Sequence, residues 1–423
     1  MFRAPESTLR KGLLVATAAA AVSGPAFAEG FRNPPAGSFS LARAGGRRAQ
    51  IDNAEAAYHN PANVVDLSGI ALEVAPTFVY LKVEHKNAIS GQSAETTDPL
   101  KILPNAFVTY EILPGKLAAG LAVTTPFGLG NEWDKDGAFA PAGALRNATA
   151  WYTELMTVDV SPTISWRIED WVAVGGGLDV YWSQLTLKQY FPPIPAFGLP
   201  ENPVRARGDG MAVGGNLGVT FNVTDRQRIA LTYRTPFDIK YEGDLQFGEE
   251  PMLPGATKES DFGSEIEFPG IFGIGYGIEL TDTIRLESNL EWVEFSRFER
   301  LPLDAGANDP FFPDEVQHDW EDTFTIGIAG DWKFAEDWMF RAGYQFYESP
   351  VPDHTFSPTI PDSNQHAFTT GIAFAGGPHR AEFSYGYILY ADRDINNDGA
   401  AAIFNGHYEM DVHLFSLGYS YHF

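Results

Sequence analysis

From about residue 70 to the end, apolar and polar side chains alternate with period two, the mark of strands whose two faces meet different surroundings. In Met156-Val158-Val160-Pro162-Ile164-Trp166-Ile168 the positions between are Thr157, Asp159, Ser161, Thr163, Ser165 and Arg167. Ile284, Leu286, Leu290 and Trp292 oppose Arg285, Glu287, Asn289 and Glu291. The last residues set Phe415, Leu417, Tyr419, Tyr421 and Phe423 against Ser416, Gly418, Ser420 and His422. A soluble sandwich turns its apolar face inward. A membrane barrel turns that face to lipid and keeps the polar one inside.

Connection lengths separate the two. The pattern predicts strands over 70–84, 100–113, 116–127, 150–168, 171–190, 209–223, 228–246, 264–280, 283–302, 319–334, 338–349, 365–375, 380–391 and 406–423. Between them, short turns such as Glu169-Asp170 and Thr281-Asp282 alternate with long loops near 85–99, 128–149, 191–208, 247–263, 303–318, 350–364 and 392–405. One rim of short turns and one of long loops is the organisation of an antiparallel up-and-down outer-membrane β-barrel, here of about fourteen strands. Such a barrel must close, because hydrocarbon leaves no unpaired sheet edge satisfied. Trp151, Trp166, Trp171, Trp182, Trp292, Trp320, Trp332 and Trp338 fall mostly near predicted strand ends, where interfacial aromatics are expected.

Residues 29–69 break the pattern. This stretch is too rich in Gly, Pro and small residues for a strand, and too interrupted for a long helix. Ala54, Ala56, Ala57 and Tyr58 suit a short helical turn, ended at Asn60-Pro61-Ala62 by the missing N–H of Pro61. A flexible linker would carry more Ser and charge and less Ala, Leu and Tyr. The segment therefore reads as a hatch, a plug inside the lumen. Asn60 is expected to satisfy backbone groups with its amide near the third strand.

Ahead of it, Arg3, Arg10 and Lys11 precede an Ala-rich apolar run from Leu13 to Val22, and Ala26-Phe27-Ala28 has a small-x-small pattern. Residues 1–28 read as a secretory signal, giving signal, hatch (29–69) and barrel (70–423) as the organisation. No window reaches the roughly twenty apolar residues of a spanning helix. The formal net charge of −26 argues against nucleic-acid binding. There are no cysteines, hence no thiolate sites.

Chemistry-bearing motifs are sparse. Asp392-Arg393-Asp394-Ile395-Asn396-Asn397-Asp398-Gly399 has the alternating oxygens of a calcium loop, but Asn397 and Ile403 stand where Gly and a bidentate Glu belong, so an ordinary polar loop is the better reading. The histidines form no close pair at ligand spacing, and neither a metal site nor a cofactor is expected. Gly175-Gly176-Gly177 lies in a strand and opens no helix, unlike a phosphate loop. The loops 128–149 and 191–208 are unusually apolar, with Trp133, Phe139, Phe191, Pro192, Pro193, Pro195 and Phe197. They are expected to form an outer groove where a flexible apolar ligand sheds water, or else to pack the two loops together.

Four stretches together resemble the FadL family of Gram-negative outer-membrane transporters for long-chain fatty acids and hydrocarbons. They are LARAGGRRAQIDNAEAAYHNPANVVDLSG (41–69), Arg228-Ile229-Ala230-Leu231-Thr232-Tyr233-Arg234, Ser349-Pro350-Val351-Pro352-Asp353 with Ile360-Pro361-Asp362, and the aromatic C-terminus. The resemblance implies a fourteen-stranded monomeric barrel closed by a hatch, set in outer-membrane lipid and lipopolysaccharide by the barrel-assembly machinery. It implies passive uptake of a hydrophobic small molecule, without catalysis. It also implies a lateral opening beside an inward kink of the third strand, here Pro126-Phe127-Gly128, where Pro126 removes a ladder donor. The family's basic head-group residues align with Gln184 and Glu321, and only Lys188 is near, which favours a neutral hydrocarbon over a carboxylate. The alternatives are a general porin for polar solutes, which needs an open lumen, and a surface adhesin or structural barrel.

Overall fold

The computed structural model describes residues 29–248 and 255–423, without the side chain of Phe197; the expected signal, residues 1–28, lies outside the described residues. The strands form one closed antiparallel barrel. They are β1 (Ile70–Val74 and Thr77–Asn87), β2 (Leu100–Leu103 and Ala106–Leu113), β3 (Leu117–Thr124 and Gly128–Glu132), β4 (Tyr152–Glu169), β5 (Val172–Phe191), β6 (Asn202–Thr224), β7 (Gln227–Arg234 and Phe237–Phe247), β8 (Glu259–Phe268 and Ile271–Glu279), β9 (Ile284–Val293 and Arg300–Asp304), β10 (Thr323–Ala335), β11 (Trp338–Tyr347), β12 (Gln365–Gly376), β13 (His379–Tyr390) and β14 (Gly406–His422). Each pairs with its neighbours in sequence, and β14 returns to β1 through pairs such as Leu72 with Tyr421 and Val79 with Leu414.

The alternation takes the membrane sense. Val160, Ile164, Trp166, Leu290, Leu417 and Tyr419 are exposed on the outer face. Thr157, Asp159, Ser161, Ser165, Glu287, Asn289 and Glu291 are buried in the lumen. Trp166, Trp171, Trp332 and Trp338 stand exposed near the short-turn rim, as an interfacial belt requires. Trp320 does not join them: it is buried inside, stacked on Phe31 with ring centres 5.0 Å apart.

Several boundaries differ from the sequence expectation, and two of them bear on the site. β6 begins at Asn202 and pairs with β5 from Phe191 onward, so much of the expected loop 191–208 is strand. β3 resumes after its kink through Gly128–Glu132 rather than ending there. Both extensions belong to the long-loop rim, where alternation fades.

The lumen is filled by residues 29–69, folded as short turns of helix at Ser38–Ala42, Ala56–His59 and Pro61–Asp66. Almost every residue of this segment up to Val65 is buried.

Candidate functional site

Above the hatch, on the long-loop side, lies a cavity of about 570 Å³. Strand residues Leu155, Leu185 and Leu187 wall one side, and the loop residues Ile360, Ile403 and Phe404 wall another. Its polar lining consists of Thr, Ser, Gln and His side chains; no lysine, arginine or carboxylate lines it among the described residues. His318 is the most buried of these histidines, with its ring stacked 4.5 Å from that of Phe298. Burial pushes its pKa down to about 4, so the ring is neutral at physiological pH. A volume of this size and lining suits an uncharged, mostly apolar ligand.

The floor of the cavity is aromatic. Phe31, at the start of the hatch, packs among Phe268, Phe295, Phe298 and Trp320, all with ring centres within 5.6 Å, while Phe127 lies at 6.1 Å. Phe127 belongs to the kink. There Gly128 N donates to Phe31 O (2.7 Å), Asn33 N donates to Pro126 O (2.9 Å) and Asn33 Nδ2 donates to Thr125 O (2.8 Å). The hatch therefore takes over pairing that Pro126 denies to the wall.

A gap in the wall follows from the same kink. The ladder between β2 and β3 stops at Ala106 with Val123. Beyond it, Leu100–Leu103 pairs only with β1, and Gly128–Glu132 only with β4. The two sides rejoin near the loops, where Thr97 N donates to Glu132 O (2.7 Å) and Asp134 N donates to Glu95 O (2.9 Å). The sheet is therefore interrupted beside the kink, between these two stretches of pairing.

The sequence and the fold each match known proteins. Residues 19–423 match the profile of the outer membrane protein transport protein family (OMPP1/FadL/TodX). The chain belongs to this family. A long-chain fatty acid transport protein of Salmonella typhi is 23% identical over 88% of this chain and 89% of its own length. A 47 kDa outer membrane protein of Pasteurella multocida is 23% identical over 86% of this chain and 88% of its own. Among solved structures, a Pseudomonas aeruginosa FadL homologue superposes with a TM-score of 0.80 at 18% identity, covering 93% of this chain and all (100%) of its own. The Pseudomonas putida toluene transporter TodX gives 0.74 at 15% identity, covering 92% and 99%. The protein is an outer-membrane transport barrel, and its family is one of channels rather than enzymes.

Within this FadL-type barrel, Asn60, Pro61 and Ala62 sit in the hatch, and none of the Asn60 side-chain bonds goes to the kink. Asn60 Nδ2 donates to Arg48 O (2.6 Å) and to Thr220 Oγ1 of β6 (2.9 Å), while its Oδ1 accepts from Ala62 N (3.1 Å) and so caps the next helical turn. The amide that serves the kink is Asn33, in an Asn-Pro-Pro run of the hatch that the sequence reading did not single out.

The described groove residues fall into two separate contacts. Trp133 and Phe139 are buried and stacked on each other, 5.6 Å between ring centres, and Trp133 Nε1 donates to Pro358 O (3.0 Å). Phe191 packs on Phe247 and Phe312 instead, and the Phe197 side chain lies outside the described residues. Trp133 and Phe139 thus pack on each other within the loop 128–149 rather than against 191–208. Lys188 is also displaced from the expected role. On β5, Leu185, Leu187 and Gln189 face the cavity, so period two turns Lys188 to the outer face, where Nζ lies 3.9 Å from the Tyr152 ring. Gln184 shares that outer face, and Glu321 is exposed.

Asp362, in the loop after β11, holds the first described residues of the hatch. Its Oδ2 accepts from Gly30 N (3.2 Å) and Ser349 Oγ (2.8 Å), and its Oδ1 from Gln365 Nε2 (3.0 Å). Burial raises its pKa to about 6 despite these bonds. A raised carboxyl pKa means that the folded state binds the proton more tightly than the unfolded chain. Its stabilising share is then complete below the unfolded value of 3.8 and is lost as pH rises through about 6. The melting temperature of the wild type is expected to rise as pH falls from 7 toward 4, and Asp362→Asn to flatten that rise. Equal slopes in the two proteins would dismiss this group as the cause.

Proposed function

We propose that this barrel admits hydrophobic small molecules, hydrocarbons or the tails of fatty acids, by passive diffusion and without catalysis. A ligand enters the cavity from the loop side, passes the Phe31–Phe127 floor, and leaves sideways through the window between β2 and β3. The observation that carries this reading is the apolar cavity standing directly over a hatch segment bonded to the wall kink. Names borne by relatives agree in kind, since they include fatty acid and toluene transporters. The outward apolar belt places lipid around the strands, and the long-loop rim would meet lipopolysaccharide. Insertion would use the barrel-assembly machinery that serves closed barrels of this kind, and the chain would act as a monomer.

Uptake of a neutral hydrocarbon into cells tests the proposal. Expression of the wild type should raise uptake of an alkylbenzene above a control lacking it, and Leu185→Asp should abolish most of the gain. A carboxylate placed in this apolar lining costs several kcal/mol unless it is protonated or paired. Uptake equal to the control would refute the reading. Large steady conductance in planar bilayers would indicate a general porin instead.

A further inference from the structure

Most polar side chains that line the chamber are already bonded to one another or to the loops. Thr149 Oγ1 lies 2.7 Å from Thr359 Oγ1, and Ser357 Oγ donates to Thr359 Oγ1 (3.0 Å). Gln317 Nε2 donates to Asp319 Oδ1 (2.7 Å), and His354 Nε2 lies 3.2 Å from Asp319 Oδ2. Two groups stand apart. The His318 ring and the Thr153 hydroxyl have no hydrogen-bond partner among the described residues, although these residues are only 6% and 3% exposed. Their polar atoms are not sealed by packing, and both residues line the chamber.

His318 is held firmly in place. Its ring lies flat on Phe298, at 4.5 Å and 21° between planes, and meets Trp320 edge-on at 6.1 Å. Its backbone N donates to Glu299 O (2.8 Å), and Thr355 Oγ1 donates to its carbonyl. Phe298 and Trp320 pack in turn on Phe31, at 5.3 and 5.0 Å, so the bare imidazole stands at the edge of the aromatic floor. A neutral imidazole offers one N–H donor and one acceptor nitrogen. Groups so deeply buried are costly to leave unbonded. A hydrocarbon would leave both nitrogens bare. A carboxylate would bring a charge into a lining that holds no cation among the described residues. A hydroxyl group both donates and accepts, so it suits the ring whichever nitrogen carries the proton.

We infer that His318 determines specificity in the chamber, and that it selects apolar ligands bearing a neutral hydroxyl over hydrocarbons of the same size. This rests on the uptake route proposed above and narrows its substrate class. The hydroxyl settles at the floor beside Phe298, and the apolar body of the ligand lies against the leucine wall.

The test uses two probes with the same number of heavy atoms, 2-phenylethanol and propylbenzene. Equilibrium dialysis measures their binding to the full chain in nanodiscs at neutral pH, with empty nanodiscs as background. The readout is the ratio of the two affinities, which a general loosening of the floor would not move. His318→Phe keeps the stack on Phe298 and removes both nitrogens. It should shift the ratio against 2-phenylethanol about fivefold, the size of one neutral hydrogen bond. His318→Gln, which returns a donor and an acceptor without the ring, should recover part of that shift. Thr153→Val should shift the ratio less than His318→Phe. An unchanged ratio in His318→Phe, with both probes bound, would mean that the imidazole is served by water alone, and would overturn the inference while leaving the route intact. A shift in Thr153→Val without one in His318→Phe would overturn it too. If the wild type binds neither probe above background, the route itself fails.

Discussion

Replacing Gly218 by valine is expected to unseat the hatch and turn a closed barrel into a conducting one. Gly218 faces the lumen from β6, and a Cβ there would stand 2.2 Å from Asn60 Oδ1, 3.1 Å from Pro61 Cδ and 3.2 Å from Ala62 N. None of these atoms is free to move aside. The Asn60 side chain is fixed by Arg48 O, Thr220 and Ala62, and Pro61 is also pressed on Gly175, where a Cβ would meet the Pro61 carbonyl carbon at 2.4 Å. Overpacking of such a contact costs roughly 1–3 kcal/mol, and each buried polar group left unpaired adds about 1–3 kcal/mol more. Those losses fall on the hatch, because the outer face of β6 and its ladder with β5 and β7 do not involve the Gly218 Cα–H. Planar-bilayer recording should show steady current from Gly218→Val and little from the wild type, with heat-modified gel mobility of the barrel preserved. Asn60→Ala should act in the same direction more weakly. A valine variant as closed as the wild type would mean that the hatch is not seated by this contact.

The barrel was legible in the sequence because lipid and lumen impose opposite demands on neighbouring residues. Thr157, Asp159, Ser161 and Ser165 could be polar in an otherwise apolar stretch only by facing away from hydrocarbon, and that is where they lie. The same demand lapses beyond the membrane. The segment Asn202-Pro203-Val204-Arg205-Ala206-Arg207-Gly208 carries no clean lipid-facing register, so its pairing with β5 was hidden and it read as loop.

The site was less legible because it depends on which face a residue takes and on contacts across hundreds of positions. Lys188 was one residue out of phase with the cavity, and an alignment without register cannot detect that. Trp133 and Phe139 were apolar for a reason loops seldom are: they join the buried apolar cluster that holds Phe31, Leu155 and Leu185, with the indole N–H bonded to Pro358. Asn33 carried a usable signal, an Asn-Pro at 33–34 echoing the Asn-Pro at 60–61. Nothing local marked Phe31, whose partners Phe268, Phe295, Phe298 and Trp320 come from distant parts of the chain.

Phe31→Ala should open the route from cavity to window. The ring is 1% exposed, and it contacts the kink residue Phe127 on one side and Phe295, Phe298 and Trp320 on the other. Removing a buried phenyl group typically costs about 3–5 kcal/mol. Here the loss is local, because the strands that surround the ring keep their own ladders. The segment it anchors is short and is also held by the Arg32–Glu291 ion pair, by Glu29 with Thr323 and Thr325, and by the bonds of Gly30 to Asp362, Asn33 to the kink, and Gly128 N to Phe31 O. Loss of the ring should therefore raise amide exchange at Gly128 and Asn33 while protection in β10 to β14 stays near that of the wild type. Ligand capture should weaken, since the cavity loses its floor, and hydrocarbon uptake at saturating supply should quicken, since the barrier to the window is lower. Phe31→Leu, which keeps much of the apolar volume, should fall between. The opposing result is slower uptake with unchanged exchange at Gly128. It would mean that Phe31 contributes to holding the ligand but not to closing the path beneath it.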